Sequence, residues 1–480
     1  MNTNRLRFAL FAGIFILFLA AAAWTEKYFL AAAPFIILFL YLGWGQMNFI
    51  FFLLLASLPF SAEYHFSSSL GTDIPDEFFM LFVSTLFFLY YAFRPQTISK
   101  KILHHPLQVL LFIGLAWTFI TVLFSTDWFI SLKFFLAKCW YVGAFVLFSL
   151  ILFKQKQNIK SAAKVFAIAL FTVVFIILIR HAVYGFRFAD INKAVFPFFR
   201  NHVNYSAMLV CSVPLFMAFH KLSCTAKEKI LFKSVIIILL IALFFSYARG
   251  AWLALIIGLI TYILIRKKIL VIAFATAIIL SLGFLFWEKN NDHYLKFAND
   301  FKTTIYHTNF REHLIATYRL KDVSTAERFY RWIAGVRMIG DGWLTGYRPN
   351  TFYYNYKPYA IPAFKTWVSD NKEHSTVHNY FLLITIEQGI PGLIFFLLLL
   401  GAMLYYAQNL YHRMQDTFYK TASMTVGVIL SMLIVVNFLS DLVETDKIGS
   451  IFFLCLSVLI AIDINNKETS DSSPDIQSIS

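Results

Sequence analysis

Chemically capable side chains in this 480-residue chain stand at the edges of apolar runs. His378 and Asn379 come directly before the run "YFLLITIEQGIPG", which contains Gly389 and Gly392. Arg249 stands between two apolar runs, in the stretch "SYARGAW". An imidazole of ordinary pKa, about 6.5, can accept a proton, and a guanidinium binds phosphate oxygens in a bidentate manner. These residue types predict proton transfer beside a phosphate-bearing ligand.

Each of these residues also has an ordinary structural explanation. Arg249 can reach to a membrane interface, and Asn379 can cap the helix that follows it, with His378 beside the cap. Arg328 can be a solvated charge on an amphipathic helix, and the two glycines can serve close helix packing or a kink around Pro391. The solvated-charge explanation applies also to Arg331, Arg337 and Arg348.

Metal ligands do not form a recognisable pattern in the sequence. His374 and His378 are four residues apart, but "EHSTVH" is not the His-Glu-x-x-His pattern of zinc proteins, and no third ligand is evident. Acidic residues are spread singly through 288–378, and Asp441 with Glu444 is the only close pair identified beside an apolar run. The cysteines do not pair by spacing: Cys139, Cys211, Cys224 and Cys455. The sequence therefore predicts no metal site, no cofactor and no disulfide framework.

The composition is that of a membrane protein. Hydrophobic residues make up 59% of the chain, charged residues 14%, and there are 56 phenylalanines. Runs of about 18 apolar residues, each able to cross about 30 Å of hydrocarbon as a helix, recur along the whole length. The net charge of +15 fits cytoplasmic anchoring residues and anionic lipid, and no nucleic-acid-binding motif is present. We expect an all-α polytopic membrane protein that binds no nucleic acid.

Twelve to fourteen membrane-spanning helices are predicted. The candidate spans are roughly 8–23, 28–44, 47–62, 76–93, 107–125, 133–153, 162–180, 204–220, 234–248, 250–265, 269–287, 379–406, 421–440 and 448–464. The first run follows Arg5 and Arg7 like a signal peptide, but it lacks a small-residue cleavage site, so we interpret it as a retained anchor.

Basic loops predict the orientation. A cytoplasmic N-terminus places "RPQTISKKILHHP", "KQKQNIK", "HKLSCTAKEKILFK" and "RKK" in the cytoplasm, as the positive-inside rule requires. The C-terminus is then cytoplasmic too, and the long connection 288–378 is external. Its stretch "STAERFYRWIAGVRMIG" has a Ser/Thr start, apolar residues at helical spacing and a stop at Gly340, so it predicts an amphipathic helix.

Three motifs resemble those of bacterial O-antigen ligases and their polymerase relatives, in the same order. "HNYFLLITIEQGIPG" resembles the family signature of His, then Asn, Ser or Gln, nine residues, and Gly-x-x-Gly. "SYARGAWLALIIGL" is similar to the Ser-Arg-Gly-Ala-Trp stretch, and "ERFYRWIAGVRMIGDGWLTGYRPNTF" is similar to the loop motif. The resemblance covers about 200–440. It departs at Gly346, which "YRPNTF" follows where relatives often carry a second glycine.

The resemblance implies an inner-membrane glycosyltransferase with a GT-C-like fold. Such enzymes move a glycan from an undecaprenyl-diphosphate donor to an acceptor hydroxyl at the periplasmic face, here most simply a lipid A–core acceptor, without a metal ion. The implied catalytic residues are His378, Arg249 and Arg328, and the candidate substrate-binding residues are Arg200, Asn379, His202 and Arg331. The implied parts are N-terminal helices (1–203), ligase-like core helices (204–287), a periplasmic loop (288–378), C-terminal helices (379–466) and a disordered tail (467–480).

Other functions remain open at this stage. The shared motifs do not separate a ligase from an O-antigen or exopolysaccharide polymerase, or from a protein O-oligosaccharyltransferase. A transporter of anions or lipid-linked sugars would carry polar residues near the middle of its spans. Mid-span positions are almost purely apolar in the sequence, which favours the enzyme.

Overall fold

The computed structural model describes residues 17–18, 44–65, 71–290, 323–361 and 376–471. The first two predicted spans, apart from residues 17–18 and 44, lie outside the described residues, as do parts of the 288–378 connection. The last helix continues to Asp471, past the predicted boundary at 466. The remainder of the predicted tail, 472–480, lies outside the described residues.

Long helices dominate the described part of the chain. We number them α1 (Met47–Ser57), α2 (Asp76–Phe93), α3 (Pro106–Leu123), α4 (Trp128–Leu152), α5 (Lys156–Val183), α6 (His202–Leu222), α7 (Ala226–Phe245), α8 (Arg249–Arg266), α9 (Leu270–Asn290), α10 (Val323–Asp341), α11 (Tyr380–Arg413), α12 (Thr417–Phe438) and α13 (Asp446–Asp471). Each of the twelve spans predicted from 47 onward coincides with one of these helices.

Nine of the described helices, α2–α6, α8 and α11–α13, are long and apolar enough to cross a membrane. Helices α1 and α9 contain shorter apolar stretches. Helix α7 begins with a charged turn in which Thr225 and Glu228 form a capping box. The prediction of an all-α polytopic membrane protein is confirmed.

Helix α12 lies at the centre of the bundle, where it packs against α6, α8, α11 and α13. Small residues permit this close approach. A Cβ on Gly258 of α8 would lie 2.0 Å from the Met432 side chain, and one on Gly427 of α12 would lie 2.7 Å from Ile265. The helix pair at the core therefore depends on glycines that face large apolar partners.

A buried ionic group closes one end of the bundle. Asp463 of α13 is 1% exposed and pairs with Arg413 at the end of α11. His105, just before α3, lies 3.3 Å from the same carboxylate (Nε2 to Oδ2). Because a buried carboxylate needs such partners, this contact ties three helices together at the end that carries the basic loops.

The opposite end, which we call the site end, gathers four connections: 184–202, 246–249, 376–379 and 439–445. An antiparallel hairpin of β1 (Ala62–His65) and β2 (Gly71–Ile74) joins α1 to α2, with Glu63 opposite Asp73. Helix α10 packs on α11. Its range, Val323–Asp341, confirms the predicted amphipathic helix.

Candidate functional site

His378 is held in place by the backbone on both sides of it. The Trp332 indole donates to the Val377 carbonyl (Nε1–O, 2.9 Å), and Tyr380 N donates to Ser440 O (3.0 Å). The Asn379 side chain caps α11 by accepting from Leu382 N at 3.0 Å. His378 itself has φ +53°, a left-handed conformation that non-glycine residues adopt infrequently. The chain therefore turns sharply at His378, directly before α11.

Asp441 is the acidic neighbour of His378. The distance from His378 Nδ1 to Asp441 Oδ1 is 4.0 Å. Thr376 connects the two residues, since its hydroxyl oxygen accepts from His378 N at 3.3 Å and its hydroxyl donates to the Asp441 carboxylate. The carboxylate is therefore positioned to orient the imidazole and to stabilise it when it becomes protonated.

Arginines dominate the electrostatics around the ring. Burial among protein atoms, followed by the positive charges of Arg331, Arg328 and Arg200, lowers the pKa of His378 to about 3. The side chain keeps 36% of its surface exposed, so the ring still faces an opening. Burial raises the pKa of the Asp441 carboxyl group, while the Thr376 hydroxyl and Arg200 oppose that rise. In the free protein His378 is neutral at physiological pH and able to accept a proton.

Helix α10 supplies two of these arginines from adjacent turns of one face. Arg331 is 1% exposed, pairs with Glu327 (NH2–Oε2, 3.1 Å) and donates to the Thr376 carbonyl (NH1–O, 3.3 Å). Arg328 is half-buried and acts electrostatically on His378. Arg331 therefore supports the 376–379 segment that carries His378, and Arg328 keeps an accessible surface.

Arg249 lies on an adjoining turn at the site end. It is the first residue of α8, after a turn in which Tyr247 has φ +57°. The Tyr247 hydroxyl donates to Phe186 O at 2.6 Å, and a Cβ on Gly250 would lie 3.0 Å from the Leu439 side chain. The start of α8 is thus packed against the segment that leads to Asp441.

Arg200 and His202 stand on either side of the residue that caps α6. Asn201 accepts from two backbone amides of the first turn. Arg200 acts electrostatically on both His378 and Asp441. His202 instead contacts Asn192 (Nδ1–Oδ1, 3.0 Å). The structure therefore brings Arg200, Arg328, Arg331 and Asn379 around His378 and Asp441, while Arg249 and His202 lie on neighbouring turns.

A break in α11 explains the Gly-x-x-Gly spacing. Gly389 has φ +73° and ψ 179° inside the helix, and a Cβ there would lie 2.0 Å from the Leu344 carbonyl oxygen. The segment that follows α10 docks into this break, where Tyr347 N donates to Ile386 O (2.7 Å). The first glycine of the signature is thus a docking point for backbone, a role beyond the close packing or kink that the spacing predicts.

Three further backbone groups at the break have partners among the described residues. Arg348 N donates to Glu387 O at 2.8 Å, and Ile390 N donates to Trp343 O at 2.8 Å. The Trp117 indole of α3 donates to Gln388 O at 2.9 Å. Irregular backbone at membrane depth is tolerated only when its polar groups are satisfied in this way. The docked segment and α11 therefore form one unit directly below His378.

Ionisable groups also lie inside the bundle beneath the site, which corrects the expectation of almost purely apolar mid-span positions. Lys138 of α4 pairs with Glu444 (Nζ–Oε1, 3.0 Å) and donates to the Tyr380 hydroxyl (3.3 Å). Glu387 is 4% exposed and accepts from Phe352 N at 3.3 Å. Lys138 and Glu444 line a cavity of about 70 Å³ with apolar residues of α3, α11 and α13. Lys138, within "SLKFFLAKCWY", was the signal in the sequence that could have revealed this group.

Among the described residues, one group of carboxylates is close enough to hold a metal ion. Oxygens of Asp73, Asp76 and Asp446 lie within 4.8 Å of one another. From the sequence, Asp441 and Glu444 were identified as the only close acidic pair near a span. That prediction missed Asp73 and Asp76, which lie just before α2 and at its start. The sequence separation of Asp446 from that pair concealed the grouping.

Comparison with known proteins identifies the domain that carries most of this site. Residues 234–397 match the family model described as O-Antigen ligase. No curated protein matches the chain. The matched segment contains Arg249, Arg328, Arg331, His378 and Asn379, while Arg200 and His202 precede it. The chain is therefore a multi-pass membrane protein that carries, at 234–397, the domain of the O-antigen ligase superfamily.

Proposed function

We propose that this protein is a membrane glycosyltransferase of the inner membrane. It moves a glycan from an undecaprenyl-diphosphate donor to an acceptor hydroxyl, here lipid A–core, at the periplasmic face. The observation that carries the proposal is a neutral histidine, His378, placed 4.0 Å from a carboxylate and within the field of three arginines, all at one end of the bundle. The ligase domain match supports the same chemistry.

In the proposed reaction His378 is the general base. Its Nδ1 faces Asp441, which leaves Nε2 to accept the proton of the acceptor hydroxyl. The acceptor oxygen forms a bond to the anomeric carbon as the bond from that carbon to the diphosphate oxygen breaks. The lipid diphosphate departs as an anion, and Arg328 and Arg249 stabilise its charge as preorganised donors.

Donor binding would also tune the base. A pKa of about 3 makes the imidazole of the empty site a weak base, and part of that depression comes from three arginine charges. A bound diphosphate brings negative charge beside Arg328 and Arg200, offsets part of the depression and raises the pKa of His378. The base therefore becomes effective when the donor is present.

The remaining residues take different roles in the proposal. Arg200, which faces His378 and Asp441, binds substrate, and His202 extends the same rim. Arg331 and Asn379 are 1% and 6% exposed and have structural partners. We assign both to positioning: Arg331 holds Thr376, and Asn379 fixes the start of α11 behind His378.

The proposed transfer needs no metal ion in the reaction itself. Enzymes that use a divalent cation on a diphosphate hold it with carboxylates beside the phosphates. Here the side chains that surround His378 are mainly arginines, which can neutralise the leaving group directly. Asp441 is engaged by Thr376 and lies beside the imidazole.

A transfer assay with purified protein tests the proposal. The assay supplies an undecaprenyl-diphosphate-linked glycan and lipid A–core, in excess chelator, well below the unfolding temperature. We expect His378→Ala, Arg328→Ala and Arg249→Ala to lose nearly all transfer, and Arg249→Lys to fail as well, because a point charge does not reproduce the bidentate fork. Arg337→Ala, an exposed arginine on the same helix as Arg328, is the control and should transfer normally.

Two outcomes would sink this proposal. Normal transfer by His378→Ala would show that His378 is not the base and has only a structural role beside the cap of α11. Activity that disappears in chelator, and that magnesium or manganese restores but calcium does not, would show that a metal ion, and not the arginines, neutralises the diphosphate.

A transporter is the alternative that a specific observation favours. The Lys138–Glu444 ion pair and the buried Glu387 place ionisable side chains inside the bundle, as transporters of charged cargo do. Proteoliposomes loaded with a lipid-linked glycan separate the two functions. Movement of intact donor across the bilayer, without transfer to any acceptor, would favour the transporter.

Extension of the donor glycan in place of transfer to lipid A–core would identify a polymerase.

A further inference from the structure

Three carboxylates converge where the hairpin meets two helix starts. Asp73 lies on β2, Asp76 is the first residue of α2 and Asp446 is the first residue of α13. Their oxygens lie within 4.8 Å of one another. The group belongs to three separate elements, so the fold itself, and not a local turn, brings these like charges together.

Asp76 gives an independent indication that a ligand belongs there. The residue is 0% exposed. Its Oδ1 accepts from Glu77 N at 3.0 Å, while its Oδ2 is buried without a hydrogen-bond partner among the described residues. A buried carboxylate oxygen that lacks a partner is costly, because the hydration it lost is not replaced. A bound cation would satisfy this atom.

Negative charge exceeds positive charge around this group in the described part of the chain. The Lys447 ammonium, 9% exposed, faces Asp73, Asp76, Asp446 and Glu63, and it donates to the Ser61 carbonyl at 2.9 Å. Glu77 also acts on Asp76 and Asp446, and Lys133 acts on Glu77, so two ammonium groups stand against five carboxylates. Burying several like charges is unfavourable unless further positive charge is present.

We propose that Asp73, Asp76 and Asp446 bind one divalent cation, of the oxygen-preferring class represented by Ca²⁺. The ligands are all carboxylate oxygens, a set that favours oxygen-preferring cations over zinc, which usually takes histidine nitrogen or cysteine sulfur. Ca²⁺ accepts irregular sets of oxygens at about 2.3–2.6 Å, whereas Mg²⁺ requires near-octahedral geometry at shorter distances. Donors on three elements suit the larger ion.

The bound cation would fasten the hairpin to the start of α13. Asp446 follows directly after the 439–445 segment, and that segment carries Asp441 beside His378. The cation therefore stabilises the frame of the site end and takes no part in transfer. This role holds whether or not the proposed glycosyl transfer is correct.

Calcium binding and thermal unfolding of the purified full-length protein test the proposal. After treatment with chelator, we expect equilibrium dialysis to show one Ca²⁺ bound per chain, and the melting temperature to rise with Ca²⁺ until it saturates. Asp76→Asn and Asp73→Asn should each lose both effects. Asp190→Asn is the matched control, an acidic residue at the same end that pairs with Lys193, and it should keep both.

Comparison of melting in the two conditions gives a sharper criterion. Asp73→Asn removes a repelling charge, so in chelator the variant should melt at or above the temperature at which the wild type melts in chelator. In Ca²⁺ the variant should melt below the wild type in Ca²⁺. Asp73 is half-buried on the hairpin, so this variant serves if Asp76→Asn does not fold. Equal wild-type melting in chelator and Ca²⁺, without bound calcium, would show that Lys447 balances the carboxylates and would overturn the proposal. Undiminished binding by Asp73→Asn would overturn it too.

Discussion

The imidazole of His378 and the carboxylate of Asp441 face each other at 4.0 Å, Nδ1 to Oδ1, across the space between the start of α11 and the end of α12. Their positions are fixed by the main-chain hydrogen bond from Tyr380 N to Ser440 O. A proton on Nδ1 directed at Asp441 leaves Nε2 free to act on an acceptor. At this distance the carboxylate can stabilise the protonated ring electrostatically, although the two groups are not hydrogen-bonded.

Asp441→Asn should lower kcat for transfer by about 100-fold or more, with little change in the KM for donor, because the amide no longer stabilises the protonated ring. Initial rates over a range of donor concentrations measure both quantities. Asp416→Asn, an acidic residue that pairs with Lys156 at the opposite end of the bundle, is the control. A rise in the KM for donor without a fall in kcat would instead show that Asp441 takes part in donor binding.

Gly389→Ala should disrupt the docking of the 343–350 segment on α11. The new Cβ would lie 2.0 Å from the Leu344 carbonyl oxygen, and the backbone at φ +73° disfavours alanine by about 1–2 kcal/mol before that clash is counted. We expect a lower melting temperature and loss of transfer. Gly401→Ala in the same helix meets only Phe274 at 3.5 Å and should be tolerated. If the two variants had the same melting temperature and the same transfer rate, Gly389 would not be needed for docking of the 343–350 segment.

Helix existence was predictable from the sequence because apolar runs of membrane-spanning length carry a strong signal. The amphipathic helix α10 was predictable for a similar reason, since Phe329, Trp332 and Ile333 recur at helical spacing. The break at Gly389 was not, because the apolar run continues on both sides of "EQGIPG" and only the docked Tyr347 and Arg348 amides reveal why the helix opens.

Site residues were predictable where a motif carried them, and not where packing creates the contact. His378, Arg249 and Arg328 came from motifs. Asp441 was noticed only as an acidic residue, because nothing local to it indicates that α12 ends beside α11. Arg331 looked like a surface charge, since its pairing with Glu327 and burial under 376–379 depend on how α10 lies against the bundle.

The proposed orientation predicts that the site end faces away from the cytoplasm. Reporter fusions after Lys268 and after Lys372 should report opposite compartments, the first cytoplasmic and the second external, because basic loops remain on the cytoplasmic side. An alkaline phosphatase fusion is active only outside the cytoplasm, and a fluorescent protein fusion serves as the complementary reporter. The same compartment at both positions would remove the periplasmic assignment of His378.

The pH dependence of transfer should separate the free enzyme from the donor complex. A general base works when unprotonated, so the rate falls as pH drops through its pKa. With a pKa of about 3 in the free enzyme, His378 should not limit kcat/KM anywhere between about pH 5 and pH 8.

In the donor complex the diphosphate offsets the charges of Arg328 and Arg200, which raises the pKa of His378. The acidic fall in kcat should therefore occur at higher pH than any acidic fall in kcat/KM. Rates at saturating donor give the pH profile of kcat, and rates at limiting donor give the pH profile of kcat/KM. The difference between the two acidic midpoints tests the prediction. An acidic fall in kcat/KM centred near the ordinary histidine value, about 6.5, would show that burial and the arginines do not depress the pKa of the free imidazole. The coupling between donor binding and base strength would then be wrong.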